Sequence, residues 1–276
     1  MRSVSLLADI LRDVSQEADT PSPAFLFQGE AVQMEWIDSG YILGVRRHGE
    51  SSVILEAMTR DHGRHLGMVR GGRSRTLQPV LQPGNEVQLT WRARIEGHLG
   101  HFAVEGLTLH AARFLSSRQA LFAMTHVAAL VRLLPERDPH PGLHEALGHL
   151  VEVLGERDLA PALIARFELE ILSDLGFGLD LVACAVTGRQ DDLVYVSPKS
   201  GRAVCREAGA PWHDRLLRLP AFLRGEEGMP EAGDIADALR LTQYFLERDV
   251  FAPRGLAMPE GRRVLLESLV AGQEKG

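Results

Sequence analysis

Lysine is almost missing from this chain. Lys199 and Lys275 are its only two, so nearly all of the 30 basic side chains are arginine. Guanidinium pairs bidentately with phosphate or carboxylate and stacks on flat rings, which a compact ammonium does less well. Cysteine is equally scarce, with only Cys184 and Cys205; two thiols do not make a disulfide framework, and a reducing cytoplasm is the expected compartment. No apolar run approaches the roughly 20 residues of a membrane helix. The chain also lacks a G-x-x-x-x-G-K-[ST] phosphate loop, a G-x-S-x-G elbow and a dinucleotide fingerprint after a strand.

Two residue strings that could suggest metal chemistry do not support it. In His144-Glu145-Ala146-Leu147-Gly148-His149 the histidines are five apart, which on a helix turns them about 140° from each other rather than onto one ion. Asp191-Asp192 reads as a surface turn, because a nuclease metal site would need further carboxylates. The expectation is a binding protein and not an enzyme.

What is present begins with 276 residues, 45% hydrophobic and 24% charged, enough for two domains with an ample core. Residues 1–33 stand apart: Val4, Leu7, Ile10, Leu11 and Val14 suit one face of a short helix that Pro21 and Pro23 break. Acidic Asp9, Asp13 and Glu17 argue against a transit peptide. This stretch is expected to be a poorly ordered leader or a mis-called start, dispensable for the activity of the rest of the chain.

From residue 34 five segments carry period-two or β-rich patterns, at 39–47, 52–59, 64–70, 86–94 and 101–109, separated by glycine-bearing turns. The fourth is clearest, with Val87, Leu89, Trp91 and Ala93 on one face and Glu86, Gln88, Thr90, Arg92 and Arg94 on the other. In the fifth, Leu107 and Leu109 are out of phase with Phe102 and Val104, which a bulge at Gly106 would explain. Residues 71–82 leave room for a short helix. Three strands, an insert and two more strands is the order of an OB-fold barrel.

The charge on this segment opposes that of the chain. The net charge is −7, yet residues 41–78 hold Arg46, Arg47, Arg60, Arg64, Arg70, Arg73 and Arg75 against Glu50, Glu56 and Asp61, a local +4. Such a patch favours a polyanion, most simply nucleic acid. The expected DNA-contacting residues are Arg46, Arg47, Arg64, Arg70, Arg73, Arg75, Arg92 and Arg94, with Tyr41 as a stacking surface. Trp91 and Phe102 could also stack, although their in-phase apolar neighbours place them in the core.

After residue 109 the period becomes helical. Amphipathic helices are predicted over 117–134, 144–154 and 161–175, the last with Gly176 as its C′ residue. A fourth starts at an Asp234 N-cap and a fifth covers about 259–270. Between the third and fourth lies a β-hairpin insert at about 180–207 carrying both cysteines. It keeps the frame of a zinc ribbon but half of its ligands: Cys184 and Cys205 stand where Thr187 and Ala208 have replaced the second cysteine of each knuckle. Two thiolates do not close a tetrahedral site, so no cofactor is expected. The fold class is therefore α+β and multi-domain. Residues 34–112 form a five-stranded OB-fold barrel, and 113–276 form an α-helical domain with a small degenerate zinc-ribbon-like insert.

Several runs together resemble a known family. They are Trp36-Ile37-Asp38-Ser39-Gly40-Tyr41-Ile42-Leu43, the Gly49-Glu50-Ser51-Ser52 turn, Val69-Arg70-Gly71-Gly72-Arg73 followed by Leu77-Gln78-Pro79, Cys184-Ala185-Val186-Thr187-Gly188, and Val196-Ser197-Pro198. In order and spacing, across residues 34–270, they are similar to the bacterial recombination mediator family RecO. The resemblance implies binding of single- and double-stranded DNA, annealing of complementary strands, and partnership with the RecR ring and the single-stranded-DNA-binding protein SSB. It also implies help in loading the RecA recombinase, in the cytoplasm and at the nucleoid. Some relatives carry a four-cysteine zinc module, from which this chain departs at Thr187 and Ala208.

An apolar groove between the helices around Phe167 and Leu239 is expected to take the SSB tail. Should the barrel not hold DNA, Arg113, Arg118, Arg262 and Arg263 offer a second basic surface. The competing readings are an OB-fold RNA-binding protein of translation or RNA processing, and a scaffold that binds proteins only. Salt dependence separates the scaffold from the other two.

Overall fold

The computed structural model describes residues 34–95, 97–114, 116–156, 159–226 and 230–273, and the expectations for residues 1–33 lie outside them. Five strands, β1 (Met34–His48), β2 (Ser52–Thr59), β3 (Gly63–Val69), β4 (Glu86–Ala93) and β5 (His101–Thr108), close a barrel in the order β1-β2-β3-β5-β4. All neighbours are antiparallel except β3 and β5, which meet in parallel at Met68 and His101. This is the OB-fold. The strand β1 is long enough to pair with β4 through its first half and with β2 through its second. At the changeover sits Gly40, where a Cβ would stand 2.8 Å from the Met58 carbonyl oxygen.

The five expected strands are present within a residue or two, apart from the start of β1, which lies five residues earlier. Residues 34–38 break the apolar-polar alternation at Ile37 and Asp38. Ile37 faces solvent, while Asp38 points inward and accepts hydrogen bonds from the Ser39 and Asp61 N–H groups, both at 2.8 Å. Those donors satisfy the buried carboxylate, so hydrophobicity gives the wrong face.

Inside the barrel, Ile42, Leu55, Ala57, Val69, Val87, Leu89, Trp91 and Phe102 form one apolar cluster. Trp91 and Phe102 are core residues, 2% and 4% exposed. Their anchoring has consequences at the surface. The Trp91 indole N–H donates to the Leu99 carbonyl at 3.1 Å and so fixes the β4–β5 turn. The predicted bulge in β5 is present, since Val87 pairs with Gly106 while Glu86 pairs with Thr108. Residues 71–82 form successive turns rather than a helix; Gln78 N–H reaches Ser74 O and Leu81 N–H reaches Leu77 O, without further propagation.

Among the described residues seven α-helices follow: α1 (Ala111–Phe114), α2 (Arg118–Val131), α3 (Pro141–Val153), α4 (Ala160–Asp174), α5 (Arg206–Gly209), α6 (Ala232–Phe245) and α7 (Glu260–Gln273). Ser117 caps α2 by accepting from Ala120 N–H. Gly176, with φ +85°, sits beyond α4 as predicted. Asp234 is not an N-cap: Glu231 caps α6, and Asp234 at the third position completes a reciprocal capping box. A turn of π-helix over Leu246–Phe251 extends α6. The insert is a three-stranded sheet rather than a hairpin, because β8 (Leu217–Arg218) joins β6 (Leu193–Val196) and β7 (Ala203–Cys205) in the order β7-β6-β8.

Barrel and helices share a seam. Leu43 and Met58 leave the barrel cluster to join the helical core. Glu56 of β2 accepts from Arg64 of β3 at 2.9 Å and from Arg132, just past α2, at 2.7 Å. Arg132 also donates to Leu43 O, passing over Gly44, where a Cβ would stand 2.6 Å from the guanidinium. Arg137 N–H donates to Arg64 O, and its side chain donates to His98 O at 2.7 Å.

The helical bundle is tied at its centre by buried charge. Glu168 of α4, fully buried, accepts a bidentate pair from Arg262 of α7 at 2.8 and 3.0 Å and lies 2.7 Å from His126 Nε2 of α2. Thr242 of α6 donates to the same carboxylate. Burial pushes the Glu168 carboxyl up, but the Arg262 charge and the His126 hydrogen bond outweigh it and bring it down to about 2. Arg262, 1% exposed, is therefore a structural residue and not part of a DNA surface.

Arg262→Met would strand the Glu168 carboxylate and should cost about 3–5 kcal/mol, read as a lower denaturation midpoint. The network also sets an acid response. A carboxyl at about 2 folded against an ordinary 4.5 unfolded stabilises the fold fully above pH 4.5 and loses that contribution as pH falls towards 2. The thermal midpoint should drop across that window, and by less in Glu168→Gln, which has no such proton to take up.

Candidate nucleic-acid interface

The arginines of the barrel divide into those bound internally and those left outside. Arg64 belongs to the first group. Its side chain is 15% exposed, paired with Glu56 and donating to Leu134 O, so it joins the seam instead of facing a ligand. Tyr41 is internal too. Its ring lies 5.1 Å from that of His144 and 6.3 Å from that of His110, and its hydroxyl sits over Gly148, where a Cβ would come within 2.6 Å. Burial, with Glu86 and Glu152 nearby, pushes its phenol up to about 12. The expected stacking platform is thus a contact between β1 and α3.

Five of the others, Arg47, Arg70, Arg73, Arg92 and Arg94, line two open clefts on the barrel. The first, about 800 Å³, runs over the outer faces of β4 and β5 and is lined by Arg70, Arg92, Arg94, His98 and His101 around the Phe102 edge. Arg92 and His101 are cross-strand partners. Arg70, arriving from the end of β3, lies 3.3 Å from His101 Nε2. Glu35 pairs with Arg92 at 2.8 Å, and that hydrogen bond holds the carboxyl below its usual range. The second cleft, about 730 Å³, lies between the β1–β2 turn and the β3–β4 connection. Arg47, Arg73, Ser51, Gln78 and Gln82 line it, with one carboxylate, Glu50. The Arg73 guanidinium is held over the turn by donating to Glu50 O, and its backbone N–H donates to Ser51 O at 3.1 Å.

Arg46 and Arg75 are exposed and line neither cleft; Arg46 borders a smaller one beside Glu56 and Arg132. His98 and His101 are additions that sequence reasoning missed. The signal for them was the pair of histidines flanking the β4–β5 turn, directly after the Arg92-Ala93-Arg94 run. The clefts adjoin the β1–β2 and β4–β5 turns, the places where OB-folds take oligonucleotides.

In the helical part, Phe167 and Leu239 are 2% and 0% exposed. They form the core and do not frame an open groove. Arg263 is paired with Glu260 and Glu267, whereas Arg113 and Arg118 are exposed, Arg118 over the Phe122 ring. His144 faces Tyr41 and His149 faces solvent, so the two diverge as their spacing predicts. Asp191 pairs with Arg189, and Asp192 with Arg206.

The cysteine frame keeps its knuckle. Gly188 N–H donates to Cys184 O at 2.9 Å, Cys205 N–H donates to Cys184 Sγ at 3.3 Å, and Thr187 Oγ1 lies 3.6 Å from Cys205 Sγ. The four positions offer two thiols, a hydroxyl and a methyl, which is not a donor set for tetrahedral zinc. Among the described residues no three His, Cys, Asp or Glu side chains gather as a metal site, and no helix is long and apolar enough to cross a membrane.

Residues 34–108 match the family described as Recombination protein O N terminal, and residues 115–256 match Recombination protein O C terminal. The chain is 59% identical over 244 residues to the DNA repair protein RecO of Chelativorans sp. (strain BNC1), covering 88% of this chain and 98% of that protein. It is 56% identical over 237 residues to the DNA repair protein RecO of Mesorhizobium japonicum, covering 86% and 94%. With that of Methylobacterium nodulans it shares 57% over 238 residues, covering 84% and 97%. With both halves matched and identity well above half along nearly the full length of these relatives, the chain belongs to the RecO family of DNA repair proteins.

Proposed function

We propose that this chain binds single- and double-stranded DNA on its barrel, anneals complementary strands, and works with RecR to load RecA on DNA coated by SSB. The observation that carries the reading is the placement of Arg70, Arg92 and Arg94 around one cleft and Arg47 and Arg73 around another, on a chain of net charge −7. Annealing requires two polyanions to approach each other. Guanidinium groups that displace condensed counterions lower the repulsion between them. No bond is made or broken in the step, so the proposal is binding without catalysis and without a metal ion. The partnerships with RecR, SSB and RecA rest on family membership. The SSB tail is assigned to the helical part, but not to a groove at Phe167 and Leu239. The place of action is the cytoplasm, at the nucleoid.

The clefts must then supply most of the strand-pairing activity. Changing Arg70, Arg73 and Arg75 together to glutamate should abolish annealing of SSB-coated complementary strands. The thermal midpoint should stay within a degree or two, because exposed charges contribute little to stability. Full annealing by that variant would move the DNA surface off the barrel, with Arg113 and Arg118 as the next residues to change.

A further inference from the structure

Both clefts share the β3–β4 connection, which gives a different arginine to each. Arg70, at its start, faces the β4–β5 cleft; Arg73, three residues on, faces the cleft against the β1–β2 turn. Between them the chain reverses, with Ser74 N–H donating to Gly71 O at 2.9 Å and Gly71 at φ +65°. Gly72 is pressed onto the barrel wall, where a Cβ would come within 2.5 Å of Val53 Cγ2. The turn is thus a low ridge fixed to the barrel, basic on both flanks. Three residues span at most roughly 10 Å. A ridge of that width is no wider than the major groove of a duplex, about 12 Å.

We infer that this ridge is a partition between two single-strand tracks on one chain. One track follows the outer face of β4 and β5, with Arg70, Arg92 and Arg94 on the phosphates. The other follows the cleft of Arg47 and Arg73, where Ser51, Gln78 and Gln82 add neutral donors. The ligand in each is a single-stranded nucleic-acid segment held by its backbone, which leaves its bases free to pair. Strands on the two sides of the ridge meet as an intramolecular event, at the millimolar effective concentration that short tethers give. Annealing then needs one chain and not two. The inference rests on the DNA-binding reading above and adds to it a stoichiometry and a division of residues.

The charge balance of each cleft is compatible with this. Among the described residues the first has three arginines against Glu35 and the second two against Glu50, an excess of positive charge in each. A single strand wrapped over the ridge would use both clefts as one site, and the two arrangements differ in what a half-disabled chain can do.

The test uses the full chain and a fluorescent dT oligomer of about eight nucleotides, within the span of one OB-fold site. At low salt the unaltered chain should bind two oligomers. R92Q/R94E and R47E/R73E should each bind one. Each should lose at least tenfold in the annealing rate of long complementary strands, and an equal mixture of the two variants should anneal no better than either alone. One oligomer per unaltered chain would overturn the partition, as would recovery of annealing in the mixture, which would put the two strands on different chains. The stoichiometry of the unaltered chain decides the matter even if a variant misfolds. Should the quadruple variant bind and anneal like the unaltered chain, DNA binding at the barrel fails as well, which is a distinguishable result.

Discussion

One carboxylate sorts the arginines of this barrel. Glu56 binds Arg64 on one side and Arg132 on the other, and in doing so it neutralises two cations and uses them to join barrel to helices. Glutamate there is 14% exposed, so its attraction for both partners is less screened than at an open surface. What remains around the two clefts is a set of guanidiniums that, among the described residues, meet few carboxylates, Glu35 in the first and Glu50 in the second. An acidic chain can therefore present arginine-lined clefts, because much of its negative charge is spread over the helical part while arginines concentrate at the turns of the barrel.

The clefts depend on core residues that touch no ligand. Trp91 is buried, yet its indole N–H fixes the turn from which Arg94 and His98 extend. Val53 is buried, yet it determines that residue 72 be a glycine and so holds the ridge close to the barrel. A side chain at either place acts on function through position. On the helical side, the Glu168, Arg262, His126 and Thr242 network gathers four helices around a dry carboxylate. Charged residues in that setting depend on complete pairing, since a lone member would remain unsolvated.

Much of the fold was legible in the sequence because alternation and turn chemistry agree. Strand β4 shows both faces in eight residues, and the phase slip at Gly106 is visible as Leu107 and Leu109 fall out of step. The failures share a cause, which is that partners distant in sequence decide where a polar side chain goes. Asp38 faces inward because residue 61 donates to it, and Arg64 is internal because Glu56 and residue 134 receive it. Tyr41 looked like a stacking platform, yet it packs under α3, far along the chain. Phe167 and Leu239 were correctly apolar, but a helical stripe does not say whether it faces a groove or a core. Of the candidate DNA-contacting residues, strand pairing divides what reads as one linear patch between two clefts and brings His98 and His101 beside the first.

The division of arginines into internal and phosphate-facing groups is the claim on which the account stands, and the ionic-strength dependence of single-strand affinity reads it directly. Comparing the unaltered chain with Arg73→Gln and Arg64→Gln, the log–log slope should become shallower by about 0.7 for Arg73, the increment for one neutralised phosphate. It should stay the same for Arg64, whose replacement should appear only as reduced thermal stability. Equal slopes in the unaltered chain and Arg73→Gln, or a shallower slope in Arg64→Gln with unchanged stability, would contradict it.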